Sequence, residues 1–259
     1  MVSFARSNFS GGNLKKVLGC IRRADEDFEM IQPGDRVAVG VSGGKDSLLL
    51  LKALALYRRF SGKEFELEGL MLTMGFEPFD DSNVRAMCEE IGVPLTVKPT
   101  EIGPIVFNER REKNPCALCA KMRRGALNIL AAERGCNKLA LGHHRDDVIE
   151  TFLMSLFFEG RLHTFQPVTH LSRSGLTVIR PMVYLPEKDI IHEARVQRLP
   201  VVNNPCPADG HTARQDMKEL LTELTKRYPF VRERLLSALK NKEQYGLWDK
   251  NGPATRTIR

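Results

Sequence analysis

The chain has 259 residues, enough to bury a core in one α/β domain with additions or in two small domains, which excludes a small disulfide scaffold. Its net charge of +7 favours an anionic partner without identifying it. Six cysteines, no apolar leader and no apolar run of about eighteen residues predict a cytoplasmic protein without membrane association, whose cysteines are thiols or metal ligands.

Helices and strands alternate in the first half of the sequence. Residues 1–12 are polar and are expected to be disordered, and an amphipathic helix is predicted over Leu14–Phe28. In the residues that follow, the spacing of apolar side chains and the content of β-branched residues predict strands with helices between them. In order they are strand Arg36–Val41, helix Leu48–Tyr57, strand Leu67–Thr73, helix Ser82–Ile91 with a serine N-cap, and strand Leu95–Lys98.

The second half continues the alternation after a loop at Pro99–Asn114, which has two prolines and no period. The predicted elements are helix Ala117–Arg134, strand Lys138–Leu141, a helix ending at Phe158, strand Leu176–Arg180, and helices Pro186–Leu199, Thr212–Lys226 and Val231–Asn241. This order predicts an α/β fold, a parallel sheet with helices on both faces and helical additions at both ends.

A glycine loop separates the first strand from its helix: Ser42, Gly43, Gly44, Lys45, Asp46 and Ser47. Such a junction binds anions, because the first N–H groups of a helix lack partners and lie at the positive end of its dipole. Glycines let a phosphate approach the backbone. A carboxylate beside a polyphosphate needs a cation between them, so Asp46 indicates Mg²⁺. The simpler alternative is a tight turn capped by serines.

A second junction of the same kind follows the strand at Lys138–Leu141. It contains Gly142, His143, His144, Asp146 and Asp147. Ligands of parallel sheets bind beyond the carboxyl ends of the strands, so both junctions and Thr73 are expected at one nucleotide site. One of the two aspartates is expected near the metal or substrate, although helix capping is the alternative for either. His143 is a weaker candidate for contact with adenine or AMP.

Three cysteines suggest a cluster site. Cys116 and Cys119 lie one helical turn apart, and Cys206 repeats the Pro-Cys pair of Pro115-Cys116. Three cysteines can hold a [4Fe-4S] cluster with one open iron, whereas His211 would complete a Cys₃His zinc site. A redox pair fits less well, because no thioredoxin-like surroundings occur.

The glycine loop resembles the PP-loop of N-type ATP pyrophosphatases, which transfer AMP. The ordered set of motifs, Pro-Cys-x-x-Cys, Leu-Gly-His-His-Arg-Asp-Asp, Arg180-Pro181 and a third cysteine, resembles the TtcA family of tRNA 2-thiocytidine synthetases. The resemblance implies ATP, Mg²⁺, a [4Fe-4S] cluster on Cys116, Cys119 and Cys206, a tRNA substrate, a cysteine desulfurase as sulfur donor and a possible homodimer. It also implies an ATP-binding domain over 13–200 with a cysteine insert at 99–135, a C-terminal part at 201–245 and a flexible tail at 246–259.

In this interpretation the C2 oxygen of a cytidine attacks the α-phosphate of ATP, and sulfur held at the cluster then displaces AMP, with Asp46, Asp147 and the three cysteines as the catalytic residues. The sequence from Phe107 to Arg145 contains nine lysines and arginines but only three glutamates, and this excess of positive charge predicts an RNA-binding surface. The RNA-binding candidates are Arg110, Arg111, Lys113, Lys121, Arg123 and Arg124. Two alternatives remain: a PP-loop ligase that adds an amine, as lysidine synthetase does, and a zinc-bearing RNA-binding module without turnover.

Overall fold

A computed structural model describes residues 14–76, 79–110, 115–202 and 213–241. Within them, six strands form one sheet in the order β3-β2-β1-β4-β6-β5. The strands are β1 (Arg36–Val41), β2 (Glu66–Leu72), β3 (Leu95–Lys98), β4 (Lys138–Ala140), β5 (Val168–Leu171) and β6 (Leu176–Ile179). All neighbouring strands are parallel except β5 and β6, which pair as an antiparallel hairpin at the sheet border.

The helices connect these strands and close the chain. They are α1 (Lys15–Phe28), α2 (Lys45–Tyr57), α3 (Ser82–Ile91), the short α4 (Ile102–Pro104), α5 (Pro115–Glu133), α6 (Arg145–Glu159), α7 (Glu187–Val196), α8 (Ala213–Arg227) and α9 (Val231–Lys240). A π-helical turn at Ile105–Glu109 follows α4. None of the described helices combines the length and apolar character needed to cross a membrane.

The α/β prediction is confirmed, with corrections at three elements. The border strand β5 was not predicted, so the sheet is mixed and not purely parallel. Part of the predicted loop at Pro99–Asn114 is helical, because Ile102 and Val106 are buried in an apolar cluster with Met74. The serine N-cap of α3 is wrong: Ser82 is the first helical residue, and its N–H donates to Asp80 Oδ1 at 2.9 Å.

Helix α2 lies in the main core directly behind the glycine loop. Leu48, Leu49, Leu50 and Leu51 are all fully buried, as expected for a helix between the sheet and further helices. Removing four leucine side chains from water contributes about 8 kcal/mol on an area basis, before entropy. This burial holds the first turn of α2, and therefore the loop before it, in a fixed position.

Helix α5 runs antiparallel to the strands and extends past their ends. A Cβ built on Gly40 in β1 would lie 2.9 Å from Leu127 Cδ2, which places this part of α5 against the end of β1. Cys119 lies eight residues earlier, about 12 Å further along the helix axis. It packs beside Met74, which follows the end of β2. The start of α5 therefore lies at the carboxyl edge, the edge of the sheet where the parallel strands end.

Candidate active site

The glycine loop is held in shape by its own hydrogen bonds. The Ser42 N–H donates to Ser47 Oγ at 3.1 Å, the Gly44 N–H donates to Ser42 Oγ at 3.3 Å, and the Ser47 hydroxyl donates to the Gly44 carbonyl at 2.9 Å. Gly43 has a φ of +82°, which an L side chain rarely adopts. The loop is therefore rigid before any ligand binds, so little entropy is lost when a phosphate is bound.

The two predicted junctions meet at Gly142. A Cβ at this position would lie 3.0 Å from the Asp46 carbonyl carbon, 3.1 Å from Ser47 N and 3.2 Å from Asp46 O, all of them backbone atoms. Because Gly142 has no side chain, the residues after β4 can approach the first turn of α2. The prediction that both junctions share one site is supported by this contact.

Replacing Gly142 by alanine is expected to lower the free energy of unfolding by about 1–3 kcal/mol and to weaken ATP binding about tenfold, because the new methyl group displaces the first turn of α2. Urea unfolding and calorimetric ATP titration measure both effects. Gly19→Ala is the matched control: its Cβ would meet no heavy atom within 4 Å, and at this exposed position of α1 it is expected to stabilise by up to about 1 kcal/mol. Equal ATP affinity in Gly142→Ala and wild type would contradict the steric argument.

Asp46 carries an oxygen suited to a cation. Its Oδ1 is buried and has no hydrogen-bond partner among the described residues. Lys45 Nζ lies 3.1 Å from this atom, in a geometry that does not make a hydrogen bond, and His144 Nε2 lies at 3.8 Å. A buried carboxylate oxygen without a donor beside a phosphate-binding loop fits Mg²⁺, which binds through one or two carboxylates plus phosphate oxygens. Lys45 also pairs with Glu187 at 3.3 Å.

The start of α6 distinguishes the two adjacent aspartates. Asp147 forms a capping box with His144: Asp147 N–H donates to His144 Nδ1 at 3.4 Å, and His144 N–H donates to Asp147 Oδ2 at 2.9 Å. Asp146 is buried, pairs with Arg232 and accepts the Glu187 N–H at 2.8 Å. Asp146 thus joins α6 to α7 and α9. Asp147 instead lies beside the His144 imidazole, which also lies near Asp46.

Arg214 links α8 to the same turn of α6. Its Nη1 lies 3.0 Å from Asp147 Oδ1 and 3.4 Å from Glu150 Oε2, and its Nη2 donates to Thr151 Oγ1 at 3.3 Å. Burial, and then the negative charge of Asp147, raise the pKa of Glu150 to about 7, although Arg214 and Lys218 oppose the shift. Glu150 therefore titrates near neutral pH.

Glu150→Gln is expected to stabilise the fold at high pH only. The pKa of Glu150 is about 7 in the folded protein, whereas an unfolded glutamate has a pKa of about 4.3. The protonated side chain therefore makes its full contribution to stability below about pH 4.3, and this contribution is lost as the pH rises through about 7. At pH 8 the variant should exceed wild type by on the order of 1–3 kcal/mol in unfolding free energy, and near pH 4.5 the two should converge. Urea unfolding across this range tests it, with the exposed Glu223→Gln as control. A difference independent of pH would refute the assignment.

His143 faces the other side of the junction. Its ring packs on Phe165 with centroids 4.9 Å apart, and its Nδ1 accepts a hydrogen bond from Arg180 Nε at 3.3 Å. Burial is the main reason why the pKa of His143 falls to about 4, with Arg180 lowering it further and Asp147 opposing the shift. The imidazole is therefore neutral at physiological pH. Its predicted contact with adenine or AMP stays a prediction.

The first two cysteines lie at the start of α5. Cys116 is exposed, and Cys119 is half-buried beside the apolar cluster around Met74. Neither forms a disulfide in the described part of the chain, and they lie three residues apart on one face of the helix. Cys206 and His211 lie outside the described residues. Among the described residues no group of three His, Cys, Asp or Glu side chains could hold a metal ion, so this pair needs a further ligand from elsewhere in the chain.

The remaining predicted residues fall in three places. Arg110, Lys121, Arg123 and Arg124 are exposed, as RNA contacts require, and Arg111 and Lys113 lie outside the described residues. Thr73 is half-buried just after β2, where its carbonyl accepts a hydrogen bond from the Thr100 hydroxyl at 2.6 Å. Its carbonyl is thus already engaged within the protein.

Three site residues received no role from the sequence, namely Phe165, Arg180 and Arg214. Arg180 could have been found by the rule that placed Gly142 and Thr73, because it too follows a strand at the carboxyl edge. Phe165 lies in an irregular segment and Arg214 at a helix start, and neither position carries a local pattern that indicates a site.

The sheet order, the rigid glycine loop and the Asp46 oxygen that accepts no hydrogen bond from the described residues define a PP-loop protein of the α/β class. The PP-loop domain family matches residues 19–224. The tRNA-cytidine(32) 2-sulfurtransferase of Geobacter sulfurreducens is 42% identical over 91% of this chain and 93% of its own length, and that of Geobacter metallireducens is 41% identical over the same shares. The chain belongs to the family of tRNA-cytidine(32) 2-sulfurtransferases, which confirms the resemblance.

A solved structure shows the same fold. The U34-tRNA thiolase NcsA from Methanococcus maripaludis, determined with its [4Fe-4S] cluster, matches 94% of this chain and 85% of its own chain with a TM-score of 0.74. At 24% sequence identity, this likeness shows a shared fold.

Proposed function

We propose that this chain is an ATP-dependent sulfurtransferase that replaces the C2 oxygen of cytidine 32 in tRNA by sulfur. Membership of the 2-sulfurtransferase family supports the substrate. The observation that carries the proposal is the position of Cys116 and Cys119, at the start of α5, on the sheet edge that also bears the glycine loop. A nucleotide site and a cysteine site on one edge can act on the same base.

The glycine loop performs the activation step. The C2 oxygen of cytosine belongs to a urea-like carbonyl and is a poor leaving group, so it first attacks the α-phosphate of ATP and pyrophosphate departs. The backbone between Ser42 and Ser47 binds the pyrophosphate, and Asp46 Oδ1 would hold Mg²⁺, which neutralises charge on the phosphates. Asp147 orients His144 beside Asp46 through the capping box.

The cysteines serve the sulfur step. Cys116 and Cys119 would hold a [4Fe-4S] cluster with Cys206 as the third ligand, and a cluster held by three cysteines offers an open iron position for sulfur. The Val202 N–H donates to the Gly43 carbonyl at 3.0 Å. Cys206 is four residues further along the sequence, and four residues of chain span at most about 14 Å. Chain length therefore permits the third cysteine to reach the glycine-loop side of the edge.

The organisation and partners follow from this proposal. Residues 13–200 with the insert at 99–135 form the ATP-binding domain, and 201–245 supply the third cysteine. A cysteine desulfurase supplies sulfur without free sulfide, and the tRNA substrate places the reaction in the cytoplasm. A homodimer is expected to form through apolar side chains exposed at the end of α6, Leu156, Phe157, Phe158 and Leu162.

Anaerobic purification followed by an iron count and a thiolation assay tests the proposal. The expected result is iron in the protein, RNA-dependent release of pyrophosphate, and 2-thiocytidine in tRNA after incubation with ATP and a sulfur source. A PP-loop ligase would release pyrophosphate without needing the cysteines. A colourless zinc protein without pyrophosphate release would overturn the proposal.

A further inference from the structure

Arg180 is a half-buried cation whose contacts with the described residues are all with neutral groups. Its Nη1 donates to the Gln166 carbonyl at 2.6 Å and to Thr169 Oγ1 at 3.2 Å, and its Nε donates to His143 Nδ1 at 3.3 Å. The guanidinium carbon lies 4.9 Å from the centre of the Phe165 ring. No carboxylate of the described residues lies within ion-pair distance, although buried charges are normally paired.

A second arginine increases this excess of positive charge. Arg124 is exposed on α5, the helix that carries Cys116 and Cys119 near its start. It forms no ion pair with any residue in the described part of the chain. Leu127, one helical turn after Arg124, lies against Gly40 of β1 beside Leu141, whose N–H donates to the carbonyl of Ile179, the residue before Arg180, at 3.0 Å. Burial and the nearby charge of Arg124 together lower the pKa of Arg180 to about 10. Two guanidinium groups that repel each other are stabilised when an anion binds between them.

The position of the pair favours a phosphate of RNA. Arg180 directly follows β6, which is separated from β1 by β4 alone, about 10 Å from the strand that leads into the glycine loop. Guanidinium groups bind phosphate through planar pairs of N–H donors. Aromatic and guanidinium surfaces, such as those of Phe165 and Arg180, are also typical of sites for single-stranded RNA.

We propose that Arg180 and Arg124 bind one phosphate group of the RNA substrate at the carboxyl edge of the sheet. The phosphate is either a backbone diester beside the target nucleotide or the phosphate of AMP after its transfer to the base. The inference rests on the proposed function in taking RNA as the ligand. It gives Arg180 a binding role and assigns Arg124 to a particular phosphate.

Three variants test the site. Arg124→Gln removes an exposed charge and leaves the fold unaffected. Arg180→Lys keeps the positive charge but loses the planar pair of N–H donors, so it tests the role of the half-buried arginine. Arg173→Gln is the control, because Arg173 is exposed in the β5–β6 turn at the opposite edge of the sheet. Affinity for a synthetic RNA hairpin with cytidine in its loop is measured against salt without ATP, and pyrophosphate release is measured at saturating RNA.

The two sources of phosphate give different results. For a backbone diester, Arg124→Gln is expected to weaken RNA binding several-fold and to reduce the slope of log K against log salt by about 0.7, with Arg173→Gln close to wild type. For the AMP phosphate, the slope is unchanged and RNA-dependent pyrophosphate release falls about tenfold in Arg124→Gln and Arg180→Lys. A retained salt slope with lost turnover cannot come from simple misfolding, because RNA binding needs the folded protein.

The inference is overturned if Arg124→Gln and Arg180→Lys match Arg173→Gln in both measurements. Failure of the proposed function has a different signature, since wild-type protein would then release no pyrophosphate with any RNA. In that case a reduced salt slope specific to Arg124→Gln would still support a phosphate site on this edge.

Discussion

Cys116→Ala is expected to remove bound iron and to lower the rate of tRNA thiolation by on the order of 10²-fold or more, while RNA-dependent pyrophosphate release persists. Cys116 is an exposed thiol in the first turn of α5, so its loss creates no cavity and should not affect folding. The nucleotide step depends on the glycine loop and not on this side chain. Iron analysis, the visible spectrum and mass spectrometry of tRNA nucleosides provide the measurements.

The matched control is Cys136→Ala. Cys136 is buried just beyond the other end of α5, where burial raises the pKa of its thiol, so it is suited to packing and not to binding metal. This variant is expected to keep its iron and its thiolation activity, with a modest loss of stability. Full iron content in Cys116→Ala would show that the cluster is held elsewhere. Zinc in place of iron in the wild-type protein would favour the alternative site that includes His211.

The parts of the site that depend on local sequence could be predicted. The glycine loop combines its own hydrogen bonds with a positive φ at Gly43, so six adjacent residues determine its shape. The expected proximity of Gly142 to this loop followed from the general geometry of parallel sheets. The bounds of β1 and β3 agree with the predicted ones, since short β-branched runs between turns mark strands.

Features that depend on distant contacts could not be predicted. The roles of the adjacent aspartates differ because Arg232, far along the chain, pairs with Asp146 and not with Asp147. Strand β5 is half-exposed and pairs only with β6, and its sequence lacks the alternation of apolar and polar residues that marks a strand. That no carboxylate of the described residues pairs with Arg180 likewise becomes visible only in the folded structure.

Asp46→Asn is expected to lower RNA-dependent pyrophosphate release by about 10²- to 10³-fold, which corresponds to several kcal/mol of transition-state stabilisation by Mg²⁺. The amide is nearly isosteric with the carboxylate, but it carries no charge for the cation. Among the described residues the carboxylate pairs with Lys45, whose Nζ donates to Oδ2 at 3.2 Å, and an amide oxygen can still accept this hydrogen bond. Pyrophosphate release measured over a range of Mg²⁺ concentrations should show weaker dependence on the metal.

Asp216→Asn is the charge-matched control, because Asp216 is exposed in the first turn of α8. It should retain wild-type turnover, and an equal loss in both variants would point to a general charge effect. Asp46→Asn should keep its iron and yet fail to thiolate, the reverse of Cys116→Ala, which loses iron and still releases pyrophosphate. Asp46→Asn makes no 2-thiocytidine because sulfur can displace only an activated oxygen, and Cys116→Ala is deficient because it lacks the cluster that holds the sulfur. Mixing the two variants restores thiolation only if adenylated RNA dissociates from one chain and binds another.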